Sequence, residues 1–333
     1  MKFFLNLVFL LIGFGLLIWA ISVVDIEKTL ELLLKMKFGF IAILVLYIAI
    51  TWLDTLSWKL NFPPEIIKDI PDQKLWEVRT IGDAYNTITP LGTMGGEPIK
   101  AHFLKDHFDI DLKQTLSSLI ITRTTFLAAL IIFCVPGIFF IFNYSDMPKN
   151  FKTVSLWGMF SFSIMIFLFF LFQITGTLGN ISQWFGSKIT KPRLKNFLDK
   201  LVHLDSLFSA YYRNFPQRVF ISILLAFAGW ILGLAETYLI FYFLGFSPSF
   251  IDIWIIEALL QLVKAGSFFI PLSIGALEGG LIVIFSSLGY PSSLGLATSL
   301  IARAKQLAWV ALGLTLGWFM SFKSRGIKSE FFD

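Results

Sequence analysis

The chain has 333 residues, of which 56% are hydrophobic and only 15% charged, with a net charge of +5. Soluble globular chains lie nearer roughly 45–50% apolar and about 25% charged, so this composition speaks against a water-soluble enzyme, which would expose an adhesive surface. Disorder, collagen and disulfide scaffolds fall to the same arithmetic, and the one cysteine, Cys134, has no intrachain partner. The positive charge bears on membrane topology, and no nucleic-acid partner is expected. The apolar residues come in long runs, the pattern of a polytopic membrane protein. The first run, 3–24, exceeds the roughly 7–15 residues of a signal-peptide core, and no small-x-small site precedes Asp25, so it reads as a transmembrane helix. A second helix covers 38–60. A polar stretch with Pro63, Pro64 and Pro71 leads to a weakly apolar segment, 75–89, broken at Pro90 and followed by a short helical stretch, 94–105. Long apolar helices over 112–142 and 154–175 come next. The longest hydrophilic segment, 176–216, holds a 3.6-residue apolar stripe over 194–212, which predicts an amphipathic helix at the interface near anionic lipid. A fifth long helix covers 218–244. A segment over 251–270 is broken at Pro271, a short one follows over 275–288, and a sixth long helix covers 293–322.

Orientation follows from the cations. Residues 176–218 and the C-terminal tail are rich in Lys and Arg, while 245–252 have none. The positive-inside rule then puts the first two in the cytoplasm and the third outside. Tracing back places 143–153 outside, 61–75 inside, 25–37 outside and the N-terminus inside. The trace closes if each Pro-broken segment enters and leaves on the same side. As helices, 94–105 span about 18 Å and 275–288 about 20 Å, against a hydrocarbon core of about 30 Å. Neither crosses, so each is the second limb of a re-entrant hairpin. The expected fold is an all-α polytopic membrane protein in the cell (inner) membrane, with both termini cytoplasmic. It has about six full transmembrane helices plus two re-entrant Pro/Gly-broken hairpins, in a single membrane domain over 1–333.

The two hairpins resemble each other. Pro90 to Glu97 and Pro271 to Glu278 are both seven-residue steps. Arg123 follows Glu97 by 26 residues, and Arg303 follows Glu278 by 25. Aligning the arginines pairs Leu116 with Leu296, Ile121 with Ile301, Leu127 with Leu307 and Ala128 with Ala308. With the orientation trace, 75–142 and 251–322 become an inverted-topology repeat, a pattern that in transporters points to a midplane substrate site. Coincidence in a Phe/Leu-rich chain is the competing reading.

A charge at helix centre costs about 2.5–3.5 kcal/mol on insertion scales. Glu97, Arg123, Glu278 and Arg303 nonetheless lie in or near apolar segments, as do Lys264, Glu257, Glu236, Lys305 and Asp54. They are tolerated if they pair or face a polar cavity. Glu–Arg pairs that pin hairpins to helices are one reading, and a lipid-headgroup site is the other. Gly95, Gly96 and Gly275 precede the short helices, where free N–H groups and a positive dipole end suit a phosphate. Close helix packing is the alternative for them. His102, Asp106, His107, Asp109 and Asp111 read as a solvated polar loop rather than a metal site. No nucleotide-binding, zinc-protease or serine-hydrolase motif is present, so no metal, cofactor or catalytic residue is assigned.

At these residues the chain resembles the membrane region of lysylphosphatidylglycerol synthase/flippase proteins. The first matching block is Arg79 through Asn86, Pro90, Gly96, Glu97 to Lys100, then Arg123. The second is Pro271, Gly275, Glu278, Gly279, then Arg303. Trp58 matches an Arg-Trp position, with Ser57 where Arg is usual, and Lys100 replaces a frequent Arg. The resemblance implies a lipid or lipid-linked substrate moved between leaflets, with Asn86 and Lys100 joining the candidate substrate-binding set. It also implies membrane lipids as partners and a lipid-modifying enzyme or glycosyltransferase as a possible one. The soluble aminoacyl-transferase domain of such proteins, and its activity, are not expected here. A membrane-embedded transferase with Glu97 or Glu278 as general base, or an accessory subunit docking through 176–216, are the competing functions.

Overall fold

The computed structural model describes residues 2–89, 95–175 and 210–330. Pro90 and most of the predicted amphipathic helix over 194–212 lie outside the described residues. The described residues are all-helical, with no strand among them. In chain order they form α1 (Lys2–Ser22), α2 (Ile26–Met36), α3 (Gly39–Leu60), the short α4 (Pro64–Ile67), α5 (Asp72–Ile88), α6 (Glu97–Phe108), α7 (Leu112–Asn143) and α8 (Lys149–Thr175). Then come α9 (Pro216–Leu244), α10 (Phe250–Gly266), a 3₁₀ turn (Pro271–Ser273), α11 (Ala276–Ser287) and α12 (Ser292–Glu330). Among the described residues, α3, α7, α8 and α9 are long and apolar enough to cross a bilayer, and shorter apolar helices lie at Leu11–Ser22 and Pro271–Ser287. This is a multi-pass membrane architecture.

The structure departs from the sequence reading in three places. Residues 25–37, expected as a loop, contain α2. Its N-cap Asp25 accepts a bond from Lys28 N at 3.1 Å. Leu32 and Met36 are buried while Ile26, Leu30 and Leu34 are exposed. Eleven residues are too few to register as a span. Helix α8 starts at Lys149, five residues before the apolar run, because Lys152 Nζ anchors its first turn to Tyr144 O at 2.9 Å. Helix α12 runs on to Glu330, past the apolar limit at 322.

The two Pro-broken segments have matching limbs. Helices α5 and α10 have 17 residues each, and α6 and α11 have 12 each. The long limb of each packs on the long helix that follows the other: α5 on α12, and α10 on α7. The short limbs pack on their own successors, α6 on α7 and α11 on α12. Each hairpin is rooted in its own apolar cluster. Trp58, Phe62, Leu75 and Leu104 hold the first, and Phe133, Phe241, Trp254 and Phe285 hold the second through stacked rings. Helices α3 and α9 pack side by side, and Arg218 fixes their ends by donating to the α3 carbonyls of Lys59 (3.2 Å) and Leu60 (3.0 Å). The volume between the two rooted hairpins is where polar side chains collect.

Candidate functional site

In the first hairpin, Gly96 N donates to Asn86 Oδ1 at 2.7 Å, tying α6 back to α5. A Cβ on Gly96 would lie 1.8 Å from Gly82 O, and one on Gly82 would meet the Lys100 stem at 2.3 Å. Both glycines are therefore used for close backbone approach. Glu97 Oε1 accepts from Arg123 Nη2 at 2.9 Å and Asn86 Nδ2 at 3.4 Å. Lys100 Nζ lies 2.9 Å from Asp83 and 3.7 Å from Glu97. Asp83 is 3.2 Å from Arg79, which also pairs with Asp54 at 2.8 Å. Six charges thus alternate in sign from α3 through α5 and α6 to α7. Each is compensated where an isolated charge would be costly.

The second hairpin repeats the Glu–Arg pair and adds a strained turn. Arg303 Nε donates to Glu278 Oε1 at 2.9 Å, the same separation as in the first. Glu278 Oε2 accepts from Gly275 N at 2.7 Å. Arg303 also donates to Leu272 O (2.6 Å), Ser273 O (3.2 Å) and Gln306 Oε1 (3.2 Å). Leu272 and Ser273 have φ of +56° and +49°, a region L-residues disfavour. The Pro271 break leaves carbonyls without helical partners, and the guanidinium satisfies two of them. Gly275, at φ +76°, presses against α1, where a Cβ would lie 2.1 Å from Gly13 O. The pinning arrangement is thus present in both hairpins, with the Gly96 and Gly275 N–H groups already engaged. The turn equivalent to Leu272 and Ser273 in the first hairpin lies outside the described residues.

Two large chambers lie between the hairpins, and a small one lies within the first hairpin's network. A central one of about 570 Å³ includes Asp83, Glu236, Glu257, Lys264, Arg303 and Lys305 in its lining. A smaller one of about 110 Å³ surrounds the Arg79–Asp83–Lys100 network and shares Asp54, Asp83, Arg123 and Phe126 with it. The third, about 470 Å³, joins the central chamber at Lys264, Trp230 and Arg303 and continues along Phe126, Phe162, Phe268 and Ile270. Its lining there joins aromatic and aliphatic side chains to Asn86, Thr89 and Ser273, and Phe268 is 72% exposed. Lys305 pairs with Glu236 and lies 4.2 Å over the Tyr47 ring. Four buried donors on the central wall, Trp230 Nε1, Gln261 Nε2, Thr298 Oγ1 and Trp309 Nε1, have no hydrogen-bond partner among the described residues.

The structure brings Glu97, Arg123, Asn86, Gly96 and Lys100 into one network, and Glu278, Arg303, Gly275 and Pro271 into another. Lys264 stands apart between the chambers. The His102–Asp111 cluster does not converge. His102 pairs with Asp106 at 3.4 Å and Lys105 with Asp109 at 2.5 Å, along one helix face. Among the described residues no group of His, Cys, Asp and Glu is arranged to hold a metal. Sequence reasoning missed Asp83 as the junction of the first network, although it stands four residues after Arg79 on α5. It also missed Gln261 and Trp309. Glu257, Gln261 and Lys264 at i, i+4 and i+7 mark a polar stripe on α10 that periodicity could have revealed.

The described residues define a helical, multi-pass membrane protein with a charged cavity beside two arginine-pinned hairpins. The family model for the lysylphosphatidylglycerol synthase transmembrane region matches residues 6–314. The chain belongs to that family. It is similar to a UPF0104 membrane protein of Methanothermobacter thermautotrophicus, 24% identical over 269 residues that cover 78% of each chain. No solved structure matches.

Proposed function

We propose that this protein moves a phospholipid or lipid-linked headgroup between leaflets. The observation that carries the reading is the joined pair of large chambers. A charged one with unspent hydrogen-bond donors suits a headgroup, and its aromatic extension past Phe126, Phe162 and Phe268 suits acyl tails. A soluble substrate would need no apolar extension, and a fully apolar one would leave the buried donors unsatisfied. In this reading the hairpins are an inverted repeat of two re-entrant elements within about six transmembrane helices, over 75–142 and 251–322. Matching limb lengths and matching Glu–Arg pairs support it. Alternating exposure comes from one hairpin loosening while the other holds. Glu97–Arg123 and Glu278–Arg303 are the latches, with Asn86 and Lys100 on the first and Lys264 at the entrance. Gly96 and Gly275 let the hairpins pack, and Pro90 and Pro271 break them. The site is a cell-membrane one, with both termini cytoplasmic.

The test is transbilayer movement of a fluorescent phospholipid in vesicles carrying purified protein. Wild type accelerates movement over protein-free vesicles. Glu97→Gln and Arg303→Lys, which keep side-chain size, slow it at least about tenfold, as loss of a charge-assisted bond of roughly 1.5–3 kcal/mol requires. Rates in wild type equal to those without protein, or unchanged in both variants, overturn the reading.

A further inference from the structure

Every ionic side chain on the central chamber wall has an oppositely charged partner within ion-pair distance, with two exceptions on α10. Asp54 and Asp83 pair with Arg79, Glu236 with Lys305, Arg123 with Glu97, and Arg303 with Glu278. Lys264 makes no ion pair or hydrogen bond among the described residues. Among the described residues, Glu257 accepts only the Thr237 hydroxyl. Between them stands Gln261, 7% exposed, whose Nε2 has no partner. The three occupy positions i, i+4 and i+7 of one helix face, so carboxylate and ammonium are rooted about 10 Å apart along the axis. The stripe has a direction. Lys264 and Gln261 line both the central chamber and the apolar extension, whereas Glu257 lines the central chamber alone.

We infer that this stripe reads a headgroup carrying a phosphodiester and, beyond it, a primary amine on a short carbon bridge. The inference deepens the translocation reading and rests on it for the lipid nature of the ligand. Tails in the aromatic extension bring the phosphodiester first to Lys264 and Gln261, which donate to its oxygens. The amine then reaches Glu257, the deeper group, which accepts from it. Such a zwitterion gives both residues a direct ionic contact at once. A headgroup with hydroxyls only would draw Lys264, the cation that acts most strongly on Glu257, to its phosphate and bring no cation to replace it. A latch arginine cannot substitute, because the guanidinium of Arg303 is held by Glu278 and the turn carbonyls.

The experiment is calorimetric binding of short-chain phosphatidylethanolamine, short-chain phosphatidylglycerol and water-soluble phosphoethanolamine to the purified full chain in mild detergent. Wild type binds the ethanolamine lipid about tenfold or more tightly than the glycerol lipid, since one charge-assisted bond separates them. Glu257→Gln loses most of that ratio by weakening ethanolamine lipid alone. Lys264→Gln weakens both lipids. An unchanged ratio in Glu257→Gln, or a wild-type preference for the glycerol lipid, overturns the inference. Phosphoethanolamine binding as tightly as its lipid overturns the lipid source. A circular-dichroism melt matching wild type certifies the variants, and Glu257→Asp, which keeps the charge, restores part of the preference. Headgroup binding that follows the stripe without any vesicle transport removes translocation and keeps the stripe. Transport of all lipids alike, unaffected by Glu257→Gln, does the reverse.

Discussion

Arg303 is where stability and the proposed function meet at the scale of one residue. Its guanidinium holds Glu278, whose side chain is 4% exposed, and two carbonyls of a turn that no helix satisfies. Removing it leaves a desolvated carboxylate and two orphan acceptors. Arg303→Ala therefore lowers unfolding free energy in detergent by about 3–5 kcal/mol. Adding Glu278→Ala recovers part of the loss, which a double-mutant cycle reads directly. Additive losses would mean the pair is not coupled. The neighbouring strain is separable. Leu272, 45% exposed and at φ +56°, has little burial to lose. A left-handed conformation costs an L-residue about 1–2 kcal/mol, against roughly 0.5–1 kcal/mol for glycine's extra chain entropy. Leu272→Gly then leaves the unfolding midpoint equal or higher, and a lower midpoint would refute strain at this turn.

Elements cross closely where small residues let them. Helices α5 and α12 meet at Gly313, where a Cβ would lie 2.6 Å from Thr80 O and 2.7 Å from Ala84 Cβ. Gly313→Ala must push backbone from backbone and costs about 1–3 kcal/mol, while Gly313→Leu abolishes the folded yield in detergent. A Gly313→Leu protein that elutes and melts like wild type would deny the crossing. Helix α2 makes a different kind of prediction. The Lys28 backbone bond and the Lys28 ammonium hold the Asp25 carboxyl below its usual range. A depressed carboxylate contributes stability above its unfolded pKa and loses it as pH falls through the folded value. Docking of α2, read by hydrogen exchange of residues 26–36, therefore weakens on acidification below the ordinary aspartate range, and Asp25→Asn flattens that dependence. The sequence made the long elements legible because a bilayer demands long apolar runs. Breaks at Pro271 and the spacing of Glu278 to Arg303 were legible because proline and charge in an apolar run have few other uses. Helix α2 was hidden by its shortness. The Asp54–Arg79–Asp83–Lys100 network was hidden because it assembles three helices, and no local period encodes which of them meet.

The whole molecule poses a question of parity. Helices α5 and α6, at 17 and 12 residues, are about 25 Å and 18 Å long, and α10 and α11 repeat those lengths. If each pair re-enters, Asp69 before the first hairpin and Asp109 after it share one side of the membrane, and so do Ser247 and Pro291 around the second. Helix α7 then carries Asp146 to the opposite side from Asp109. Packing is swapped, because each long limb lies against the helix following the other hairpin, so a loosening of one is transmitted to the other. That coupling is what alternating exposure of one central site requires. Cys134 is the one cysteine in the chain and is buried, so a Cys134→Ala background gives clean single-cysteine labelling. Asp69→Cys and Asp109→Cys react with an impermeant maleimide only from the cytoplasmic face. Asp146→Cys, Ser247→Cys and Pro291→Cys react only from outside. Opposite faces for Asp69 and Asp109 would make the first hairpin a full crossing and turn the pair from inverted to parallel. The inverted relation on which alternating exposure rests would then be lost.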